Sequence, residues 1–99
     1  MDDTAPKTPK PPLVLRNDKR GHEFVLVPDQ FGGEKVQIWL RTLKSGQFRY
    51  IRSMTVGCVG SHVHYKASHG YTVRQAQRQD LPPLPEQAVA AILGAAMVR

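Results

Sequence analysis

Hydrophobic and polar residues alternate along Lys35–Met54, in two runs separated by the turn segment Lys44-Ser45-Gly46. A period of two on both sides of a glycine-containing turn predicts a β-hairpin. The hairpin contains the single tryptophan of the chain, Trp39, and five basic residues. The rest of the predicted fold is organised around it.

The length of the hairpin loop decides which side chains share a face, because a shift of one residue moves a whole strand's side chains to the other face. A three-residue loop with Gly46 at positive φ gathers the large apolar residues of both strands on one side: Val36, Ile38, Leu40, Phe48, Tyr50 and Met54. A two-residue turn at Ser45-Gly46 would instead group Trp39 with Phe48 and Tyr50. We predict the three-residue loop, because it produces one coherent apolar face.

The other predicted strands are shorter. Leu13–Arg16 and Glu23–Val27 are rich in β-forming residues and predict a first hairpin, with Gly21 at positive φ in the turn between them. Ser61–Lys66 alternates and predicts a further strand. Thr72–Asp80 is equally compatible with a strand and with a short helix.

The two ends of the chain differ in composition from its middle. Met1–Pro12 contains four prolines and predicts a disordered arm. Leu81–Pro85 predicts an extended connector, and the largely apolar Glu86–Val98 predicts a helix. Such a helix packs on the apolar face of the sheet or, as an alternative, forms a homodimer with a second copy of the chain.

Together these elements predict an α+β fold in one domain that covers residues 13–99. A small antiparallel sheet of four to five strands spans about residues 13–73, and one C-terminal helix over residues 86–98 packs on it. The connector between them covers residues 81–85.

Charge indicates the kind of partner that this domain binds. The chain has 14 Lys and Arg against 8 Asp and Glu, a formal net charge of +6, and no acidic residue between Glu34 and Asp80. A continuous positive surface favours polyanions through steering and counterion release. Nucleic acid is therefore the first prediction, and an acidic protein surface is the alternative. A charge that serves only solubility is the third interpretation.

The candidate contact residues for nucleic acid or an acidic partner lie on or near the hairpin: Trp39, Arg41, Lys44, Arg49, Arg52 and Lys66. An exposed tryptophan between arginines offers a flat π surface to unpaired bases and guanidinium groups to phosphates. Arg52 is the weakest arginine candidate, because its parity puts it on the apolar side. The alternative for Trp39 is burial under another element, such as the C-terminal helix.

Four potential metal ligands, Cys58, His62, His64 and His69, occur within a short segment. Zinc sites need three or four converging ligands, and neither a CxxC nor an HExxH spacing is present. We therefore predict no metal site and no cofactor, with these histidines on a solvated basic strand.

Enzymatic chemistry is not predicted either. The carboxylates lie towards the ends of the chain, and Cys58 has no evident orienting partner for nucleophilic chemistry. No apolar run approaches the roughly 18 residues of a membrane span, and the N-terminus does not resemble a secretory signal. A lone cysteine is typical of a reducing compartment. The prediction is a cytoplasmic, non-enzymatic binding module.

Overall fold

The computed structural model describes residues 11–29 and 34–97, which form an α+β fold around one antiparallel sheet. The described strands are β1 (Leu13–Asn17), β2 (His22–Pro28), β3 (Lys35–Thr42), β4 (Phe48–Thr55) and β5 (Thr72–Gln75). The described helices are α1 (Val59–Ala67) and α2 (Glu86–Met97), and single 3-10 turns occur at Val56–Cys58 and Arg78–Asp80. The strand order across the sheet is β4-β3-β2-β1-β5.

Helix α1 replaces a predicted strand. The segment Ser61–Lys66, predicted as a strand from its alternation, lies inside α1. Val59 and Val63 are both buried, because residues four apart lie on the same side of a helix. The antiparallel sheet and the α+β class are confirmed, but the prediction of a single C-terminal helix is wrong.

The sheet separates two hydrophobic clusters, since the central strands β1 and β2 are buried on both sides. One cluster lies under α1 and consists of Leu13, Leu15, Leu26, Val36, Ile38, Met54, Val59, Val63 and Tyr71. The other lies under α2 and consists of Val14, Val25, Val27, Ala76, Leu81, Val89 and Ile92. We call these two sides of the sheet the α1 face and the α2 face. The C-terminal helix thus packs on the side opposite to the one predicted for it.

The β3–β4 loop is one residue longer than predicted. Thr42 donates its backbone N–H to the carbonyl of Gln47 (3.1 Å), so the loop consists of the four residues 43–46. Gly46 has a φ of 74°, as predicted for the last loop position. Near a loop of this length, the odd residues of β3 share a face with the even residues of β4, which is the grouping that a two-residue turn would also give.

A β-bulge then shifts the register within the same hairpin. Trp39 is paired with Tyr50, whereas its neighbour Ile38 is paired with Arg52. Ile51 is therefore an extra residue in β4, and the alternation of side chains restarts beyond it.

The loop changes the faces of the β4 residues next to it, and the bulge restores the predicted register for the residues beyond it. Met54 lies with Val36 on the α1 face, as predicted. Phe48 and Tyr50 do not join them, since they lie with Trp39 on the α2 face. The prediction of one apolar face for all three β4 residues is wrong.

The remaining connections follow the predicted outline. Gly21 has a φ of 72° in the turn between β1 and β2. Pro12 accepts a hydrogen bond from the backbone N–H of Ala76 (3.0 Å), so the last residue of the predicted arm packs beside the sheet. The rest of that arm up to residue 10, and the end of the predicted helix at residue 98, lie outside the described residues. Within residues 11–29 and 34–97, no helix has the length and apolarity needed to cross a membrane.

Candidate functional site

Two arginines of the α2 face are paired with two buried carboxylates. Arg41 donates to Glu23 and to Asp80 (3.2 Å), and Arg74 makes two hydrogen bonds to Asp80 (2.8 and 2.9 Å). Glu23 has no exposed surface and Asp80 is only 4% exposed. We call these four residues the ion-pair cluster. Its charges balance, so it presents no net positive charge to a ligand.

The ion-pair cluster also sets the acidity of Asp80. Hydrogen bonds from Arg74, and then from the backbone N–H of Gln77 and from Arg41, outweigh burial and lower the pKa of Asp80 from 3.8 to about 2. The carboxylate therefore stays ionised at any physiological pH. This arrangement gives Arg41 a structural partner, and its side chain is only 19% exposed.

Trp39 lies on the same α2 face, in an aromatic group. Its indole N–H donates to the side-chain oxygen of Gln37 (3.1 Å), and its ring meets those of Tyr50 and Phe48 edge-on at 5.5 and 6.5 Å. It is partly buried against the hydrophobic cluster under α2. Trp39 is thus neither a freely exposed surface, as in the first prediction, nor fully buried under another element, as in the alternative.

The cations of the α1 face have different surroundings. The Lys66 ammonium of α1 lies over the rings of Phe24 (4.4 Å) and Tyr71 (5.0 Å). Burial, followed by repulsion from Arg20 and Arg52, lowers the pKa of Lys66. Among the described residues, no carboxylate forms an ion pair with any of these three cations.

Two histidines complete this group. His22 shares a hydrogen bond with the hydroxyl of Tyr71 (2.7 Å), and Nε2 of His62 is buried with no partner among the described residues. Burial and then repulsion from Lys66 lower the pKa of both imidazoles from its usual 6.5, which favours their neutral forms. We call the five side chains of this group the basic cluster: Arg20, His22, Arg52, His62 and Lys66.

A cleft of about 570 Å³ adjoins the basic cluster at the turn between β1 and β2. Its lining residues are Arg16, Asn17, Asp18, Lys19, Arg20, His69, Gly70 and Thr72. Arg16 is paired with Asp18 (2.7 Å), whereas in the described part of the chain Lys19 and Arg20 have no acidic partner. The backbone of Arg20 is fixed by a hydrogen bond to the Asn17 side chain (3.0 Å). We call this feature the turn cleft.

An exposed aromatic pair borders the turn cleft. Tyr65 is 58% exposed, and its ring centroid lies 4.2 Å from that of His69, with 33° between the planes. Nδ1 of His69 lies 2.8 Å from the carbonyl oxygen of Tyr65. A carbonyl oxygen only accepts, so Nδ1 carries the proton and the imidazole orientation is fixed.

The structure separates the residues that the sequence grouped together. Arg52 and Lys66 belong to the basic cluster, and Arg52 shares the face of its partner Ile38 while remaining exposed, as the parity argument predicted. Arg49 is paired with Leu40 on the α1 face, and Lys44 is exposed in the hairpin loop.

Trp39 and Arg41 lie on the opposite face, so the prediction that Arg41 and Arg49 flank Trp39 on one surface is wrong. The cause is the length of the β3–β4 loop, which pairs Arg41 with Phe48 and Leu40 with Arg49, so that the odd residues of β3 lie on the α2 face and Arg49 on the other.

Sequence reasoning missed Lys19, Arg20 and Tyr65. The adjacent basic pair in a glycine-containing turn was a signal for the first two. Tyr65 and His69 are four residues apart, which brings side chains together at the end of a helix. The assignment of a strand to this segment concealed that spacing.

The weak metal candidates are dispersed by helix α1. His62 is partly buried and His64 is exposed, since residues two apart do not share a side of a helix. Cys58 is exposed and accepts a hydrogen bond from the Thr55 hydroxyl (3.2 Å), while His69 is engaged with Tyr65. Across residues 11–29 and 34–97, no three His, Cys, Asp or Glu side chains are placed to hold a metal ion.

The chemistry of this site is thus a set of cations that have no acidic partner within residues 11–29 and 34–97, next to an exposed aromatic pair and a cleft. Comparisons of the chain with protein-family models, with curated proteins and with solved structures found no match.

Proposed function

We propose that this protein is a non-enzymatic binding module that holds nucleic acid against the α1 face. The observation that supports this proposal is the basic cluster, in which Arg20, Arg52 and Lys66 lie together without a carboxylate partner in the described part of the chain. Like charges at close range repel one another, and a bound polyanion relieves that repulsion while it releases counterions.

The cations are distributed across the sheet rather than concentrated at one position. Arg49 and Arg52 belong to the edge strand β4, Lys66 lies over Phe24 of β2, and Arg20 follows β1. With strands about 4.8 Å apart, the distance from β4 to β1 is about 15 Å. A strip of this length suits several phosphates of one nucleic-acid backbone better than a single small anion.

Salt dependence of binding tests the proposal. Labelled single-stranded and double-stranded oligonucleotides of about 20 nucleotides, titrated by fluorescence anisotropy, should bind at low salt. The logarithm of the binding constant should fall linearly with the logarithm of the salt concentration, with a slope that reflects three or more phosphate contacts.

A matched pair of arginine variants locates the interface. Arg52→Gln and Arg78→Gln each remove one exposed positive charge, the first from the α1 face and the second from the pair with Glu86 near α2. Arg52→Gln should lower the affinity and reduce the salt slope by a little less than one. Arg78→Gln should leave both unchanged. Absence of binding at low salt, or equal losses in the two variants, would contradict the proposal.

An acidic protein partner is the second candidate, and the edge strand β4 favours it. Tyr50 and Ile51 are 48% and 38% exposed there, between Arg49 and Arg52, and aromatic and arginine side chains are frequent interface anchors. Competition separates the two candidates: a poly-glutamate chain that displaces the oligonucleotide at equal charge concentration would favour the protein partner.

The homodimer through the C-terminal helix remains a prediction. Val89 and Ile92 of α2 pack on the sheet, which leaves Ala90 and Ala91 exposed for a second copy. Sedimentation over a range of concentrations tests it, and a monomer at every concentration would contradict it. A cytoplasmic location and the lack of a cofactor also remain predictions.

A further inference from the structure

We propose that the ligand is single-stranded nucleic acid and that one of its bases stacks on the Tyr65–His69 pair. This inference rests on the proposed function, since it specifies which nucleic acid the α1 face binds and how. It adds a contact that charge alone does not provide.

The position of Tyr65 is the first argument. The large hydrophobic side chains that are exposed in the described part of the chain are Tyr50, Ile51, Val56 and Tyr65. The first three belong to β4 or directly follow it, whereas Tyr65 lies on α1 and contacts His69, which lines the turn cleft together with Lys19 and Arg20. An aromatic ring among cations is the combination with which proteins bind single strands, because every base has a π face and every nucleotide a phosphate.

The rigidity of the pair is the second argument. The carbonyl of Tyr65 accepts hydrogen bonds from Nδ1–H of His69 (2.8 Å) and from the Ser68 hydroxyl (2.7 Å). The backbone N–H of His69 donates to the Lys66 carbonyl (2.9 Å), and Gly70 turns the chain at a φ of 93°. The His69 ring is thus oriented before a ligand arrives and the Tyr65 ring lies against it at 4.2 Å, which reduces the entropy lost on binding.

The turn cleft is the third argument, because it connects the rings to phosphate-binding groups. His69 lines the cleft together with Lys19 and Arg20, whose charges have no acidic partner in the described part of the chain. A nucleotide whose base stacks on this pair can place its phosphate in the cleft, because His69 contacts Tyr65 and also lines the cleft. Paired bases inside a duplex have both faces covered by neighbouring base pairs, so this contact requires an unpaired base.

Probes of equal charge and different bases test the inference by fluorescence anisotropy. They are a mixed-sequence single strand, the same strand with abasic residues throughout, and a duplex, with DNA and RNA forms of the first. Wild-type protein should bind the intact strand about 5- to 100-fold more tightly than the abasic strand, the effect of stacking one base. It should also prefer the single strand to the duplex.

Substitutions at two tyrosines, Tyr65 and Tyr50, provide a matched comparison. Tyr65→Ala should bind intact and abasic strands with equal affinity, and Tyr65→Trp should restore the preference. Tyr50→Ala removes an exposed tyrosine from the α2 face, and this variant should keep the preference for the intact strand. Because Tyr65 and Tyr50 are both largely exposed, both variants are expected to fold, which circular dichroism checks.

The outcomes distinguish this inference from the proposed function. Salt-dependent binding that is equal for intact and abasic strands, or tighter for the duplex, overturns the stacking inference and leaves the proposed function in place. Equal losses in Tyr65→Ala and Tyr50→Ala also overturn it. Absence of binding to every probe at low salt overturns both.

Discussion

The two faces of the sheet use positive charge in opposite ways. On the α2 face, Arg41 and Arg74 are bonded to the buried carboxylates of Glu23 and Asp80. On the α1 face, the cations of the basic cluster repel one another and have no carboxylate partner among the described residues. The first arrangement joins strands β2, β3 and β5 to the turn after β5, whereas the second leaves charge available to a ligand.

This difference shows that the number of cations in a sequence is a poor guide to a binding surface. A buried carboxylate makes an arginine part of the structure, because separating the two would leave an uncompensated buried charge. An exposed cation without a partner contributes little to stability, so a ligand can use its charge at small structural cost.

Two arginines on neighbouring strands test the comparison with the largest expected effect. Arg41→Gln leaves Glu23 buried without its closest partner and should lower the free energy of unfolding by about 3–5 kcal/mol. Arg52→Gln should change it by less than about 0.5 kcal/mol. Urea denaturation followed by circular dichroism measures both values. If the two variants are equally stable, the ion-pair cluster does not hold the α2 face together.

Acid should weaken the α2 face specifically. The pKa of Asp80 is about 2 in the folded protein against 3.8 for an unperturbed group, so its contribution is complete above pH 4. It is lost as the pH falls towards 2, because the unfolded chain takes up a proton that the folded chain excludes. The expected loss is on the order of 2 kcal/mol. Urea denaturation between pH 5 and pH 2 measures it, and a loss of equal size in Asp80→Asn would contradict the assignment.

A milder change in pH should act on the α1 face. The pKa values of His22 and His62 lie below 6.5, since both are partly buried and face Lys66, with Arg20 beside the first and Arg52 beside the second. Below pH 6.5 the unfolded state therefore binds more protons, and stability should fall as the pH falls.

Oligonucleotide affinity should change in the opposite direction. A bound polyanion favours the charged imidazoles, so binding should tighten several-fold between pH 7 and pH 5.5. Anisotropy titrations at constant ionic strength measure this, with the double variant His22→Gln, His62→Gln as the control. An affinity that stays constant with pH, or that changes equally in the variant, would contradict the prediction.

Trp39 should give the smallest signal. It is the only tryptophan of the chain and lies on the α2 face, so its fluorescence reports on the side away from the proposed ligand. Saturation of the protein with an oligonucleotide should leave the emission maximum and intensity nearly unchanged. Strong quenching would place the ligand on the α2 face and would reverse the comparison.

Local sequence pattern is sufficient to predict part of this fold. Alternation and turn chemistry predicted β1 to β4, the positive φ of Gly21 and Gly46 and the helix at Glu86. The alternation failed to predict α1, because Ser61–Lys66, with histidines at alternate positions, also satisfies the pattern of a strand. Burial of Val59 and Val63 favours a helix over a strand, and this burial depends on the sheet on which the two residues pack.

The candidate site was less predictable, because its decisive contacts join distant parts of the chain. The bonds of Arg41 to Glu23 and Asp80 span 18 and 39 residues, and Glu23 precedes the interval that lacks acids. Arg20 and Lys66 likewise lie near each other only because α1 packs on the sheet. Sequence alone showed that the chain is basic, and the fold determined which cations have an acidic partner among the residues that the structure describes.

The bulge at Ile51 interrupts β4, which forms one border of the described sheet. A regular border strand is a template on which a second molecule can extend the sheet, and that extension is a common start of aggregation. Antiparallel pairing of two copies about Tyr50 and Ile51 would place Arg49 opposite Arg52, so like charges oppose it as well. The strand that supplies cations to the proposed ligand thus also disfavours edge-to-edge pairing of two copies of the protein.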